Sequence, residues 1–310
     1  MQRHRAAIAR LVAGAFLALL LSSGPSRAQE VVRVASKLDT ESSLLGAMIL
    51  LVLEASGIKT VDKLQLGPTN ILRRAILAGE IDIYPEYTGN GALFYGDDQD
   101  PAWKDARAGY DKVRSLDLAR RKLVWLTPAP ADNSWVVAVP RAVAVANHLA
   151  TMGDFAAWVG RGGAVKLAAS AEFVESPAAL PAFEKSYDFT LSPSSLLVLA
   201  GGDTAVTLRA AAEGISGVNA AMAYGTDGAL AVLDLVVLGD PRRAQVIYAP
   251  APVVRAAILE RYPAIRDRLA PVFGALDAAS LRRLNARIAV DGKVARAVAS
   301  DYLRTRDLLR

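Results

Sequence analysis

Four side chains that could contact a small ligand stand close together in the stretch 79–91: Glu86, Tyr87, Thr88 and Asn90. An aromatic ring attracts a cation through the negative face of its π-system. A carboxylate beside the ring adds an opposite charge. These residue types therefore suit a cation better than an anion. The same side chains could instead belong to an amphipathic loop whose rings pack against the edge of the core.

A short strand has to position these side chains. Ile81 and Ile83 alternate with polar neighbours, and this period of two predicts a strand over 81–84. Pro85 lacks a backbone donor, so it should end the strand or confine it to the edge of a sheet. The polar side chains would then follow the carboxyl end of the strand, which is where open α/β sheets bind ligands.

Strands and helices alternate in the first part of the chain. The pattern predicts strands at 31–35, 63–66 and 81–84, with helices at 43–55 and 71–78 between them. This order within about sixty residues is typical of parallel βαβ units. The predicted fold class is therefore α/β.

Two proline-rich connectors suggest where the chain crosses between lobes. The first, 127–130, precedes a β-branched strand at 134–139, and the second is 246–252. Crossings near residues 132 and 249 predict a bilobed protein with the ligand cleft between two α/β lobes. The predicted division is a leader of residues 1–28, lobe I from 29–132 and 250–310, and lobe II from 133–249.

Residues 1–28 have the pattern of a secretory signal peptide. A basic start is followed by the apolar run Leu11–Leu21 and by the small residues of Ser26–Ala28, which predicts cleavage after about Ala28. An apolar run of this length is too short to span a bilayer, which needs about 20 residues. The expected product is a free periplasmic protein.

Charge and cysteine content exclude several classes of protein. The chain has 36 Lys and Arg against 31 Asp and Glu, a net charge of +5, and four of these arginines lie in the leader, which leaves +1 (5 − 4) for the rest. No Lys/Arg-rich run follows the leader, so a nucleic-acid partner is not expected. The absence of cysteine means that stability depends on the core rather than on disulfides.

Histidine is nearly absent beyond the leader, where only His148 occurs. Neither a histidine-based acid–base pair nor a histidine metal cluster can therefore form. The sequence predicts a binding protein rather than an enzyme, without a cofactor or a metal site.

Five motifs that occur in order along the chain resemble those of one family. They are Val34–Lys37, Leu66–Asn70, Gly79–Gly89, Ala223–Asp227 and Ala249–Pro252. Together they are similar to the glycine betaine/choline-binding periplasmic proteins of osmoprotectant ABC importers, and most similar to the osmoprotectant-uptake branch of Gram-negative bacteria. The resemblance covers residues 30–310.

The resemblance implies a two-lobed receptor that closes on a quaternary ammonium ligand. Aromatic rings would surround the trimethylammonium group, and the matching positions are Tyr87, Trp135, Tyr224 and Tyr248. Trp135 stands where many relatives have tyrosine. A trimethylammonium group has no N–H to donate, so dispersion and cation–π attraction must provide the recognition. Each ring could alternatively serve core packing or line the hinge.

The resemblance also implies residues for the polar end of the ligand. Lys37 matches a residue that meets the ligand carboxylate, although it could also be a solvated surface lysine. Asn90 stands where some relatives use a hydroxyl. Glu86 could balance the ligand charge or accept hydrogen bonds from backbone amides. Ser176 occupies a position where betaine binders often have arginine, so weak glycine betaine binding is expected.

The expected function is capture of the ligand and delivery to an importer permease and its ATPase, by a protein that acts as a monomer. Betaine, choline, carnitine, proline betaine and ectoine-like zwitterions all remain possible ligands. The alternatives are a periplasmic enzyme on the same bilobed scaffold, a lyase or hydrolase that uses carboxylates, and a receptor that senses solutes for a signalling partner.

Overall fold

The computed structural model describes residues 31–199 and 204–309 of the chain. The predicted signal peptide lies outside these residues. The strands are β1 (Val32–Ala35), β2 (Thr60–Lys63), β3 (Ile83–Tyr87), β4 (Leu123–Trp125), β5 (Trp135–Pro140), β6 (Leu167–Ser170), β7 (Leu196–Leu199), β8 (Ala220–Tyr224), β9 (Leu235–Val237) and β10 (Pro250–Arg255).

Helices separate most of these strands, and the last part of the chain is helical. They are α1 (Thr40–Ala55), α2 (Thr69–Ala78), α3 (Asn90–Tyr95), α4 (Ala106–Arg121), α5 (Arg141–Asn147), α6 (Met152–Gly160), α7 (Ala171–Glu175), α8 (Leu180–Tyr187), α9 (Thr204–Glu213), α10 (Ala256–Arg261), α11 (Ala264–Gly274), α12 (Ala278–Ala289) and α13 (Ala295–Thr305). Short 3₁₀ helices occur at Pro101–Lys104, Pro193–Ser195, Ile215–Gly217 and Gly228–Ala231.

The described strands form two mixed sheets. The order in the first sheet is β2-β1-β3-β10-β4, and in the second it is β7-β6-β8-β5-β9. In the first sheet β1 pairs in parallel with β2 and β3, as the βαβ pattern predicted, while β10 runs antiparallel to its neighbours. The second strand lies at Thr60–Lys63 rather than at the predicted 63–66. In the second sheet β6 is parallel to β7 and β8, and β5 is antiparallel to β8 and β9. The predicted bilobed α/β fold is confirmed.

Each sheet has its own hydrophobic core. Helix α1 lies in the core of the first sheet, where twelve of its sixteen residues are buried, and it packs against β1, α11, α12 and α13. Its first turn begins after Asp39, whose side chain accepts a hydrogen bond from the backbone N–H of Ser42 at 2.8 Å. This N-cap starts the helix three residues before the predicted position and places Glu41 in its first turn.

The sequence prediction for Pro85 was wrong, because β3 continues through Pro85 and lies in the middle of the first sheet. Pro85 is opposite Pro252 of β10, and Pro250 is opposite Tyr87. In an antiparallel pair, residues directly opposite each other alternate between hydrogen-bonded and non-hydrogen-bonded positions. The prolines occupy the non-hydrogen-bonded positions, where a missing N–H removes no hydrogen bond between these two strands. A central strand can therefore contain proline, and Glu86 and Tyr87 belong to the strand rather than to a following turn.

Within residues 31–199 and 204–309, none of the helices has the combination of length and hydrophobicity that a membrane-spanning segment requires.

Candidate functional site

One cavity of about 670 Å³ lies where the ends of several strands from both sheets meet. Its volume falls in the usual range for small-molecule sites, about 300 to 1,000 Å³. Its aromatic and polar lining includes Lys37, Asp39, Glu41, Tyr87, Asn90, Asn133, Trp135, Glu172, Tyr224, Thr226, Asp227, Tyr248 and Asn285. The four predicted cage rings, Lys37 and Asn90 are thus brought together around one space.

The first sheet contributes residues from the carboxyl ends of β1 and β3. These two strands are parallel neighbours, so Lys37, just after β1, meets Tyr87 at the end of β3. The Nζ atom of Lys37 lies 4.7 Å from the centre of the Tyr87 ring. Tyr87 is only 6% exposed, and its hydroxyl donates a hydrogen bond to Glu41 at 2.9 Å. The ring is therefore held rigidly in the cavity wall.

The second sheet contributes a stacked pair of rings. Trp135 begins β5, Tyr224 ends β8, and the two residues are directly opposite in the antiparallel ladder. Their ring centres are 4.4 Å apart with an interplanar angle of 29°. Phe173 packs against Trp135 from within the core, at 5.4 Å between centres. Trp135 and Tyr224 thus form a preassembled aromatic surface, because each ring supports the other.

Tyr248 lies on the segment that leads from the second sheet back to the first. Its backbone N–H donates to the Asp132 carboxylate at 2.9 Å, and the Asn133 N–H donates to the Tyr248 carbonyl at 3.1 Å. The two segments that connect the sheets are therefore hydrogen-bonded to each other. A Cβ atom at position 89 would lie only 2.8 Å from the Tyr248 ring, so glycine at this position leaves room for the ring.

Glu86 organises the polar side of the cavity and is completely buried. Its carboxylate accepts hydrogen bonds from Lys37 Nζ at 2.5 Å, Asn90 Nδ2 at 2.7 Å, the Tyr87 backbone N–H at 2.8 Å and the Tyr84 hydroxyl at 3.2 Å. Lys37 is buried rather than solvated, since the side chain is only 8% exposed in this ion pair. Glu86 therefore positions the predicted ligand-contacting residues and neutralises Lys37.

Acidic residues outnumber basic ones around the cavity, which the sequence analysis did not foresee. The acids are Asp39, Glu41, Glu172 and Asp227, and the base is Lys37. Asp39, Glu172 and Asp227 each lie within four residues of the end of β1, β6 or β8. Polar residues that follow the ends of parallel strands meet at one edge of a sheet. This rule singles out Glu86 in the sequence, and it applies equally to these three acids.

Glu41 has a different setting from the other acids of the lining, because it is buried. Its carboxylate accepts hydrogen bonds from the Tyr87 hydroxyl at 2.9 Å and from Asn285 Nδ2 at 2.8 Å. Burial raises the pKa of Glu41 to about 7, although its hydrogen bonds act in the opposite direction. Burial also raises the pKa of Tyr87, Tyr224 and Tyr248, so these phenols remain neutral at physiological pH.

Helix α12 joins the two sides of the cavity. Asn285 Nδ2 donates to Glu41 and also to the Thr226 carbonyl at 2.9 Å, while Arg282 Nε donates to the Gly225 carbonyl at 2.7 Å. A Cβ atom at Gly228 would lie only 2.4 Å from the backbone nitrogen of Ala286. Glycine at 228 therefore permits the close approach of α12 to the segment after β8.

Ser176 is the predicted site residue that is not among those lining the cavity. It follows α7, is half-buried, and its hydroxyl accepts a 3.4 Å hydrogen bond from the backbone N–H of Ala178. The same short helix turns Glu172 toward the cavity instead.

Two α/β sheets with a cavity of four aromatic rings at their facing strand ends define a bilobed binding protein of the periplasmic type. The chain belongs to the family described as the substrate-binding domain of ABC-type glycine betaine transport systems, whose model matches residues 30–305.

Known proteins similar to this chain agree with that assignment. The glycine betaine-binding protein YehZ of Escherichia coli K12 is 56% identical over 295 residues, which cover 95% of this chain and 97% of that protein. The apo structure of YehZ has 57% identity and a TM-score of 0.83, over 90% of this chain and 99% of that one. A glycine betaine/carnitine/choline ABC transporter structure, only 20% identical, shares the fold with a TM-score of 0.79, over 90% of this chain and 100% of that one.

Proposed function

We propose that this protein is the substrate-binding protein of an ABC importer and captures a quaternary ammonium osmoprotectant of the glycine betaine or choline type. The observation that carries the proposal is the cavity lined by Tyr87, Trp135, Tyr224 and Tyr248 together with an excess of carboxylates. A trimethylammonium group is recognised by the faces of aromatic rings and by nearby negative charge. It has no N–H, so hydrogen-bond acceptors are not required to bind it. Lys37 and Asn90 would meet the polar end of the ligand.

Delivery requires partners and a location that suit an importer. In this proposal the mature protein is a periplasmic monomer, formed by cleavage after about Ala28, which passes its ligand to a membrane permease and its ATPase. Membership of the glycine betaine transport family supports this role. A binding protein should release its ligand chemically unchanged. Mass spectrometry after prolonged incubation with the protein should therefore detect the ligand at its original mass, whereas an enzyme on this scaffold would convert it to a product.

The lobes in this proposal are residues 29–132 with 250–310, and residues 133–249, which move about the segments near 132 and 249. The hydrogen bonds between Asp132, Asn133 and Tyr248 support a hinge there, because both connecting segments must bend together. A ligand that binds the closed form better shifts the population toward it. Small-angle scattering should give a smaller radius of gyration at saturating ligand, and an unchanged curve would contradict the hinge.

Calorimetry tests the ligand class directly. Glycine betaine, choline, carnitine and proline betaine should be compared with glycine and ethanolamine, which keep the polar end but lack the methyl groups. We expect binding of methylated compounds and none of the two amines, because a primary ammonium loses its strong hydration in an aromatic cage. Glycine bound as tightly as glycine betaine, or no binding of any methylated compound, would refute the proposed function.

Ser176 in place of arginine should limit the affinity for a carboxylate. A buried carboxylate needs charged donors, and Lys37 is already paired with Glu86. Ser176→Arg should therefore tighten glycine betaine by about 1.5 to 3 kcal/mol, about 10- to 150-fold, with no gain for choline. Ser192→Arg, which adds the same charge at an exposed position, is the matched control. Equal or weaker betaine binding by Ser176→Arg would show that position 176 does not face the carboxylate.

A further inference from the structure

The buried carboxylates of the described residues differ in their counter-ions. Asp82, Glu86, Asp117 and Glu41 are all less than a tenth exposed. Three of them have a basic partner, namely Arg33 and Arg255 for Asp82, Lys37 for Glu86, and Arg73 for Asp117. In residues 31–199 and 204–309, Glu41 has no Lys, Arg or His within salt-bridge distance. An unpaired carboxylate in such a position is costly, so its presence at a cavity needs a functional reason.

The groups around Glu41 come from several elements, and none supplies a full positive charge to it. The Tyr87 hydroxyl of β3 and the Asn285 amide of α12 donate neutral hydrogen bonds. Asp39, at the start of α1, and Asp227, after β8, line the same cavity and add negative charge. Lys37 also lines it, but its ammonium group is bound to Glu86. The amino-terminal end of α1 favours a negative charge, though only as a partial dipole.

We infer that Glu41 is a specificity-determining residue whose missing counter-ion is the ammonium group of the ligand. This inference rests on the proposed function and deepens it. The Tyr87 hydroxyl couples the aromatic ring to the Glu41 charge, because a phenol that donates a hydrogen bond to a carboxylate has a more electron-rich ring for the cation. The ligand would therefore meet the Tyr87 ring and the Glu41 charge as one unit.

The surroundings of Glu41 can accept both of its protonation states. As a carboxylate it accepts a hydrogen bond from the Tyr87 hydroxyl on one oxygen and from Asn285 Nδ2 on the other. If the carboxyl group is protonated, the Tyr87 oxygen can accept from the new O–H donor, while Asn285 Nδ2 keeps its hydrogen bonds to the second carboxyl oxygen and to the Thr226 carbonyl. The empty site can therefore hold a neutral Glu41, and an arriving cation should displace its proton.

This coupling predicts ligand affinity that depends on pH in a defined direction. Because burial holds the pKa of Glu41 at about 7, the side chain is largely ionised at pH 8 and largely protonated at pH 6. Glycine betaine and choline keep their own charges over this interval. The dissociation constant of either ligand should rise about tenfold from pH 8 to pH 6. At pH 7, about half a proton should be released per ligand bound, measured by calorimetry in two buffers of different ionisation enthalpy.

The variant Glu41→Gln isolates this effect, because it keeps the shape of the side chain and removes its charge. Its affinity should be independent of pH between 6 and 8, at or below that of the parent at pH 6, with no proton release. Glu172→Gln removes a charge from an exposed position of the same cavity and should retain the pH dependence. Thermal unfolding of each variant verifies that it is folded.

Two results would overturn the inference: an affinity of the parent protein that does not change with pH, or a pH dependence that persists in Glu41→Gln. In either case, ligand binding itself would still support the proposed function. No binding of either ligand at any pH would overturn both.

Discussion

Replacing Tyr87 by alanine should weaken binding of glycine betaine or choline by about 2 to 4 kcal/mol, a rise of about 30- to 800-fold in the dissociation constant. The change removes a ring face from the cavity and the packing of a buried side chain. It also removes the hydroxyl that donates to Glu41 at 2.9 Å. The effect should exceed that of Tyr248→Ala, because Tyr248 has no such link to Glu41. Isothermal calorimetry on both variants measures the difference.

Two further variants separate the contributions to this loss. Tyr87→Phe keeps the ring face and removes only the hydrogen bond to Glu41, so it should retain part of the affinity. Tyr302→Ala removes a buried tyrosine of α13 that is not among the cavity-lining residues. It should lower the thermal unfolding temperature without changing ligand affinity. If Tyr87→Ala bound either ligand as well as the parent, Tyr87 would not belong to the cage.

Much of this site follows from local features of the sequence. The alternation at 81–84 and the βαβ order predict parallel strands, and the carboxyl ends of parallel strands lie together. This is why Lys37 and Tyr87, far apart in the sequence, meet in the structure. The resemblance to a known family then identified Trp135 and Tyr224, which occupy opposite positions in a ladder.

Other features depend on pairings that no local pattern contains. Pro85 can lie in a central strand because the register with the distant strand β10 places it opposite Pro252, at a position where no hydrogen bond between these two strands needs its N–H. Ser176 was placed in the cavity by analogy, whereas the short helix α7 directs Glu172 there. The sequence likewise does not show that Glu41 lacks a basic partner, because this depends on Lys37 forming its ion pair with Glu86 instead. Charge pairing in a core is a property of the three-dimensional arrangement.

Of the changes considered for this site, breaking the Lys37–Glu86 ion pair should lower the stability of the protein most. Removing one partner of a buried ion pair leaves the other charge uncompensated, and this typically costs about 3 to 5 kcal/mol. Lys37→Met and Glu86→Gln should each lower the free energy of unfolding by that amount. The double variant Lys37→Met/Glu86→Gln should recover most of the loss, because it has no buried charge and the new amide oxygen can still accept from Asn90 and from the Tyr87 backbone. Urea denaturation of the four proteins gives the coupling energy.

The same double variant tests whether Lys37 also meets the ligand carboxylate. Lys37 Nζ has three hydrogens, of which Glu86 takes one, so a further donor is available to the cavity. We expect the folded double variant to lose about tenfold in affinity for glycine betaine and to bind choline as the parent does, since choline has no carboxylate. Arg209→Met, which breaks the exposed pair with Glu213, should change stability by no more than about 0.5 kcal/mol. Equal losses for both ligands would mean that Lys37 acts on binding only by neutralising Glu86 and holding the Tyr87 ring in place.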